Sequence, residues 1–226
     1  FIMKITSVDL YQVTSGKPSV AGTYWKASIC RINTDEGISG FGEAGVCYSS
    51  GSDAALGLLK DYAQSIIGMN PMNNEQIWNK LHRDTFWGMG GGTIVFSAIS
   101  AIDIALWDIR GKALNVPVYQ LLGGKTNDKL RAYASQIQFD WGPICAPMVT
   151  PEDYASAARK AMAEGYTAVK VDPVGFNMKG NWMEWSNYGL LEYDQMKAAV
   201  DRVAAIREAG GPGLDIIIEL HSLTDT

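Results

Sequence analysis

The sequence predicts two consecutive domains, an α+β domain in residues 1–125 and the beginning of a parallel α/β domain in residues 126–226. Strand patterns precede helical patterns in the first half, whereas strand and helix patterns alternate in the second. Such alternation is typical of βαβ units with parallel strands. The composition, with 47% hydrophobic and 19% charged residues, is that of a globular protein with ample material for a core.

The first three predicted strands form an antiparallel meander. Lys4–Tyr11 alternates apolar and polar residues in the manner of a half-buried strand. A second strand covers Tyr24–Ile32, and the turn residues Asp35–Gly37 lead into a third strand at Ile38–Glu43. The segment Thr14–Gly22 is polar and rich in turn residues, so it is expected to connect the first two strands.

Three helices are predicted to follow. Ser52 can cap a helix that Gly68 ends, and Asn73 or Asn74 can cap a second. A longer helix is expected to be capped by Thr93. Its apolar stripe consists of Val95, Ala98, Ile99, Ile102, Ala105, Leu106 and Ile109.

The second half alternates between strand and helix patterns. Strands are predicted at 131–135, 167–172 and 214–220, with helices at 151–164 and 192–209. Three parallel strands alone leave a sheet edge and a face uncovered, and a closed (β/α)8-type barrel needs about 250 residues. We therefore expect the barrel to be incomplete in this chain and its active site to need residues beyond it.

Charge and composition argue against several classes of protein. The net charge of -5 and scattered basic residues exclude a nucleic-acid footprint. An apolar run of about 18 residues, the length that crosses a membrane, is missing from the sequence. The three cysteines form no CxxC pair, which favours a reducing compartment, and we expect a cytoplasmic protein.

Two pairs of ionisable residues follow strands that are otherwise apolar. Lys170 and Asp172 stand two positions apart, as do Glu219 and His221, so each pair shares one face of its strand. Active sites of β/α barrels gather at the carboxyl ends of the strands. One such pair is typical of polar residues meeting solvent, but two pairs on adjacent strands favour a functional site.

These residue types suit one kind of chemistry. A carboxylate such as Glu219 can ligate Mg²⁺. Lys170 can act as a base or pair with a substrate carboxylate, and His221 can donate a proton to a leaving group. Together they suit proton abstraction next to a carboxylate, because a bound metal ion can stabilise the resulting enediolate.

Gly40–Gly45 matches the GxGxxG pattern literally. A dinucleotide site requires this motif to open a helix, but Val46–Gly51 reads as a loop. The favoured interpretation is a corner between a strand and a loop.

Two long motifs resemble a known family. Residues 35–44, DEGISGFGEA, and 98–124, with AIDIALWD, GK, PVY and LLGG in order, resemble the mandelate racemase and muconate lactonizing group of the enolase superfamily. The resemblance implies an α+β capping domain in residues 1–125, followed by the start of a modified (β/α)8-type barrel in residues 126–226. It also implies Mg²⁺-assisted abstraction of the proton α to a carboxylate. Loops at about Thr14–Tyr24 and Gly45–Asp53 would cover the site and set specificity.

The resemblance also implies individual roles. Lys170 matches the first lysine of the family's Lys-x-Lys pair, whereas Asp172 stands at the second, so we assign Asp172 to substrate binding instead. Glu219 matches the first metal ligand, and His221 matches a histidine that protonates the departing hydroxyl in several acid-sugar dehydratases. The other metal ligands and the His-Asp base pair of the family lie on later strands, which this sequence does not contain.

The leading hypothesis is therefore a Mg²⁺-dependent dehydratase of a sugar acid that yields a 2-keto-3-deoxy acid. Lys170 and His221 are its predicted catalytic residues. A racemase or epimerase of a carboxylate substrate is the alternative within enzymes, and a non-catalytic binding or regulatory relative is the alternative outside them. The predicted partner is a small carboxylate substrate, with neither nucleic acid nor membrane, and the family resemblance implies a homo-oligomer.

Overall fold

The computed structural model describes residues 3–16, 24–48, 50–142, 145–183, 186–187, 189–221 and 224. The chain forms two compact units, Phe1–Asp128 and Lys129–Thr226. The first unit combines an antiparallel sheet with helices, and the second alternates helices with parallel strands. The predicted fold class, an α+β capping domain followed by the start of a β/α barrel, is confirmed.

A three-stranded antiparallel sheet opens the first unit. Strands β1 (Ile5–Thr14), β2 (Lys26–Thr34) and β3 (Ser39–Ala44) pair in the order β1-β2-β3. Gly37, with φ of 74°, supplies the left-handed residue in the turn between β2 and β3. The predicted meander is confirmed, and its register brings Cys30 opposite both Leu10 and Gly42.

Helices α1 (Ser52–Ile66), α2 (Asn74–Arg83), α3 (Thr93–Leu114) and α4 (Val118–Leu121) complete the first unit. The predicted caps of α1 and α3 are wrong, because Gly51 and Gly92 occupy the N-cap positions. The Ser52 hydroxyl instead bonds to the Lys26 carbonyl oxygen at 2.7 Å, which ties α1 to the sheet. A local capping preference was overridden by this tertiary hydrogen bond.

Helix α3 lies directly against β3, and two glycines of the GxGxxG pattern make this possible. A Cβ atom on Gly40 would stand 2.1 Å from the Ala105 carbonyl oxygen, and one on Gly42 would stand 1.8 Å from that of Ala101. The motif therefore serves close packing of a strand on a helix. The residues of the predicted α3 stripe that are buried in this core are Ala98, Ile99, Ile102, Ala105, Leu106 and Ile109.

The second unit contains α5 (Pro151–Ala163), β4 (Ala168–Val171), α6 (Tyr193–Gly210) and β5 (Asp215–Ile218). Strands β4 and β5 are parallel, as the alternation of patterns predicts. Helices α5 and α6 pack against each other and bury Val169 and Val171 of β4 with them. Among the described residues, no helix is long and apolar enough to cross a membrane.

The strand predicted at 131–135 is reduced to a single parallel bridge between Ala134 and Val169. Ala134 donates to the Ala168 carbonyl at 2.9 Å and accepts from the Lys170 amide at 2.7 Å. The Arg131 side chain bonds to Thr167. Position 134 is thus aligned beside β4, but the prediction of a full strand was wrong because backbone pairing does not extend along it.

Candidate active site

The carboxyl ends of β4 and β5 bring the four predicted residues together. Lys170 is paired in register with Ile217, and Val171 with Ile218. The ladder continues one step further, because the Glu219 amide donates to the Val171 carbonyl at 2.9 Å. Since side chains alternate along a strand, Lys170 and Glu219 then point to the same side of the two-stranded sheet.

Lys170 and Glu219 form an ion pair. The Lys170 Nζ lies 2.7 Å from Glu219 Oε2, and the two side chains are 16% and 27% exposed. The Lys170 Nζ also stands over the Tyr133 ring, 5.8 Å from its centroid. The lysine charge is therefore held between a carboxylate and an aromatic face, and both charged groups remain partly open to solvent.

His221 links Glu219 to Asp172. Its Nε2 lies 3.4 Å from Glu219 Oε1, and its Nδ1 lies 3.4 Å from Asp172 Oδ2. The His221 backbone has φ of 48°, in the left-handed region that residues other than glycine seldom adopt. Such conformations cluster at functional sites, where surrounding contacts maintain them.

Asp172 is the buried member of the cluster. Its side chain is 1% exposed, and the Val174 amide donates to its Oδ1 at 3.0 Å. The Asp172 amide donates to the side-chain oxygen of Gln138 at 3.2 Å. Burial raises the pKa of Asp172 above its usual range, although the Val174 amide and the nearby His221 oppose this effect.

Two further residues, Tyr133 and Gln138, contact this cluster although the sequence pattern did not indicate them. Both lie near the end of the short bridge at 134, the first strand position of the barrel. Gln138 is buried, and its side-chain oxygen accepts a hydrogen bond from the Asp172 amide. The ring of Tyr133 faces the Lys170 ammonium group. Their closeness to the end of the predicted strand at 131–135 is the signal that could have identified them.

Arg202 of α6 holds the loop that follows Asp172. Its guanidinium donates to the carbonyl oxygens of Pro173 and Phe176, each at 2.7 Å, and to that of Val149 at 2.8 Å. The Arg202 side chain is buried and lies over the Tyr154 ring, 5.0 Å from its centroid. A buried cation that satisfies three carbonyl oxygens fixes the loop geometry.

Aromatic rings pack beside this loop. Phe176 meets Phe139 edge-on, and Trp182 stacks on Phe139 with 5.2 Å between the ring centroids. A Cβ atom on Gly175 would stand 2.9 Å from the Trp182 ring. The loop after β4 therefore has apolar packing on one side and the strand-end cluster on the other.

Glu219 is suited to hold a divalent cation. It offers hard carboxylate oxygens at a strand end, next to solvent. The described residues nevertheless contain no group of three or more acidic, histidine or cysteine side chains placed to hold a metal ion. Glu219 therefore fits as one ligand of a Mg²⁺ site, not as a complete site.

The two loops expected to set specificity lie in the first unit. Most of Thr14–Tyr24 falls outside the described residues, as does position 49 of Gly45–Asp53. Trp25, which directly follows the first loop, forms a bridge with Tyr48 of the second loop, and their ring centroids lie 5.1 Å apart. Ser15 and Trp25 also share backbone and side-chain hydrogen bonds.

The order of the two units, an α+β domain followed by the start of a β/α barrel, is that of the enolase type. Residues 18–123 match the mandelate racemase / muconate lactonizing enzyme, N-terminal domain family. The resemblance to this group of the enolase superfamily is therefore confirmed, and the first unit carries its N-terminal domain.

Individual relatives make the similarity more specific. The chain is 31% identical to a D-gluconate/D-galactonate dehydratase of Picrophilus torridus, over 98% of this chain and 52% of the relative. It is 34% identical to a D-galactonate dehydratase of Pectobacterium atrosepticum, over 99% and 50%. A solved structure of an enolase superfamily member from Salmonella Typhimurium is 50% identical, with a TM-score of 0.92 over 99% of this chain and 56% of that one. The chain thus spans about half the length of the relatives it matches.

Proposed function

We propose that the full-length protein carrying this chain is a Mg²⁺-dependent dehydratase of a sugar acid, with D-galactonate and D-gluconate as the first substrates to test. Named relatives at 31% and 34% identity are dehydratases of these acids. The observation that carries the proposal is the position of His221, 3.4 Å from the Glu219 carboxylate with which the Lys170 ammonium group is also paired. This arrangement supports the role of His221 as a proton donor next to a carboxylate that a cation also contacts.

The reaction removes the elements of water across two carbons of the substrate. A base outside this cluster takes the α proton, and the electron pair of the C–H bond moves into the carboxylate to form an enediolate. The β C–O bond then breaks, and the departing hydroxyl leaves as water after His221 donates a proton from Nε2. The resulting enol rearranges to the 2-keto-3-deoxy acid.

Lys170 and Glu219 act on the carboxylate end of the substrate. The Lys170 ammonium supplies a positive charge that stabilises the enediolate as it forms. Glu219 would serve as a ligand for Mg²⁺, which supplies further positive charge to the substrate carboxylate when bound. Lys170 and Glu219 are paired at 2.7 Å. When substrate and metal bind, the two groups must therefore either separate or contact each other and the bound molecules at the same time.

The character of Asp172 favours dehydration over racemisation. A racemase that uses two opposed bases needs a base at each face of the substrate. Here the second position of the strand-end pair is an aspartate with 1% exposure, and its Oδ1 is engaged by the Val174 amide. This group is poorly placed to take a proton from substrate, so we rank a racemase or epimerase second.

The test is to incubate the full-length protein with Mg²⁺ and a panel of sugar acids that includes D-galactonate and D-gluconate. We expect formation of a 2-keto acid from at least one of them, and formation about 10²–10⁴-fold slower with the His221→Gln variant. Exchange of the α proton with deuterated solvent by the wild-type protein, without loss of water, would establish a racemase or epimerase instead. If no sugar acid of the panel yielded a 2-keto acid while Mg²⁺ was bound, the proposed substrate class would be overturned.

We further propose a cytoplasmic location for this enzyme. Cys30, Cys47 and Cys145 are free thiols, which supports a reducing compartment. Assembly into a homo-oligomer stays a prediction, as do domain boundaries at 1–125 and 126–226.

A further inference from the structure

Asp172 stands apart from the other residues of the strand-end cluster because its carboxylate is enclosed. Its side chain is 1% exposed, whereas that of His221 is 31% exposed. Oδ1 accepts a hydrogen bond from the Val174 amide. Oδ2 has no hydrogen-bond partner among the residues that the structure describes. Buried carboxylate oxygens ordinarily have a donor, so the unsatisfied Oδ2 calls for a physical explanation.

His221 has the donor that Asp172 lacks. Its Nδ1 lies 3.4 Å from Asp172 Oδ2, so a small ring rotation brings the two atoms within hydrogen-bond distance. Its other nitrogen, Nε2, faces Glu219 Oε1 on the accessible side of the cluster. The imidazole therefore lies between one buried, fixed carboxylate and one accessible carboxylate.

Asp172 is fixed well enough to orient a neighbouring ring. Its backbone amide is held by Gln138 and its Oδ1 by the amide of Val174. The carbonyl oxygens of Pro173 and Phe176 are held in turn by the buried Arg202. Because the Asp172 carboxylate has so little freedom to move, a hydrogen bond to it would fix the orientation of the His221 ring.

We propose that Asp172 is a positioning residue for His221. In the protonated ring, the imidazolium, Asp172 Oδ2 accepts the Nδ1–H, which leaves the Nε2–H as the proton that His221 presents to the leaving hydroxyl. After that proton is transferred, the neutral ring keeps its remaining proton on Nδ1, facing Asp172. This role rests on the proposed dehydration and differs from the direct substrate contact expected for Asp172. The substrate would meet Lys170, Glu219 and the Nε2 side of His221, while Asp172 acts through the ring.

The tautomer of His221 tests the pairing without any reference to activity. The full-length protein is labelled with ¹⁵N-histidine, and the His221 signals are identified by their loss in His221→Gln. We expect the neutral wild-type ring to carry its proton on Nδ1. In Asp172→Asn, Oδ1 keeps the Val174 bond and the amide NH₂ faces Nδ1, so the proton should move to Nε2. A wild-type ring protonated on Nε2 alone, or a spectrum unchanged in Asp172→Asn, would overturn the proposal.

Steady-state kinetics then test whether the pairing matters for turnover. We expect Asp172→Asn to lower kcat about 30-fold with KM changed less than about twofold. In the His221→Gln background, Asp172→Asn should lower kcat less than about twofold, because the residue through which Asp172 acts has been removed. Asp215→Asn, at the opposite end of β5, is the matched control and should leave kcat unchanged.

Two kinetic results would overturn the positioning role. A rise in KM as the main effect of Asp172→Asn would indicate direct substrate contact, and an equal loss in both backgrounds would indicate a purely structural role. Failure of the proposed function is distinguishable, because a wild-type protein without dehydratase activity still reports the His221 tautomer.

Discussion

The Lys170 ammonium lies 2.7 Å from Glu219 Oε2, across the register of two parallel strands. The ion pair joins Lys170, proposed to stabilise the substrate enediolate, to Glu219, proposed to bind Mg²⁺. Because Lys170 and Mg²⁺ would both interact with the Glu219 carboxylate, the lysine charge opposes metal binding while the substrate is absent.

Substitutions in this pair should change Mg²⁺ affinity in opposite directions. We expect Glu219→Gln to weaken Mg²⁺ binding at least tenfold, because it removes a charged ligand. Lys170→Met should strengthen binding about threefold or more and abolish turnover, because it removes a competing cation near the carboxylate. Calorimetric titration of the substrate-free, full-length protein with Mg²⁺ measures both effects, with Asp215→Asn as the control. Unaltered Mg²⁺ affinity in Glu219→Gln would contradict the ligand assignment.

Gly42 and Gly57 should respond oppositely to a single added methyl group. Gly42→Ala places a Cβ atom 1.8 Å from the Ala101 carbonyl oxygen, so we expect a loss of about 3 kcal/mol from forced separation of α3 and β3. Gly57 lies exposed within α1 with open space around it, and Gly57→Ala should stabilise the protein by about 0.5–1 kcal/mol. Thermal unfolding of the two variants gives the comparison. A stable Gly42→Ala protein would refute the close packing of α3 on β3.

Arg202 should contribute far more to stability than an arginine on the surface. Arg202→Met leaves three carbonyl oxygens without their charged donor, so we expect a loss of about 3 kcal/mol and reduced turnover as the loop after Asp172 loosens. Arg159, which pairs with Glu152 on the exposed face of α5, is the control. Arg159→Met should cost less than about 1 kcal/mol. Equal losses in urea denaturation would refute the role of Arg202 in holding this loop.

The amino terminus of α5 should show an acid-dependent stability. Thr150 and Asp153 form a reciprocal capping box, and Thr150→Ala should cost about 1 kcal/mol. Burial raises the pKa of Asp153, but the amides of Thr150 and Val149 outweigh this effect and lower it overall. The stabilisation is therefore complete above the unfolded pKa of about 4 and is lost as the pH falls through the lower folded value.

This dependence can be measured as the difference in stability between wild type and Asp153→Asn. The difference should be constant near neutral pH and shrink below about pH 4, where the wild-type carboxylate becomes protonated. Asp215→Asn again serves as the control for loss of an exposed negative charge. A difference that grows on acidification would contradict the assigned direction of the pKa shift.

Much of the fold could be predicted because hydrophobic periodicity reports which face of each element is buried. The α3 stripe and the alternation in β1 to β3 express local patterns directly. The helix caps were less predictable, because Ser52 satisfies the Lys26 carbonyl on a distant strand. The strand at 131–135 also depended on pairing with β4, which its own residues do not determine.

The candidate site was predictable in part for a similar reason. The predicted strand ends and the two-residue period of a strand identified four residues as neighbours: Lys170, Asp172, Glu219 and His221. The parallel register of β4 and β5 brings them together. Burial of Asp172, by contrast, depends on Gln138, Val174 and a loop fixed by Arg202 of α6. Sequence spacing does not encode these distant contacts. The burial of the Asp172 side chain therefore could not be predicted when Asp172 was assigned to substrate binding.

The most direct measurement of the central claim follows two events in deuterated solvent, loss of the α proton and loss of the β hydroxyl, in wild type and His221→Gln. We expect that wild-type protein with Mg²⁺ and its sugar acid releases water, whereas His221→Gln dehydrates about 10²–10⁴-fold more slowly. The variant should still exchange the α proton, because a base other than His221 removes it. Loss of exchange and dehydration to the same extent in His221→Gln would contradict the assignment of His221 as the acid for the leaving group.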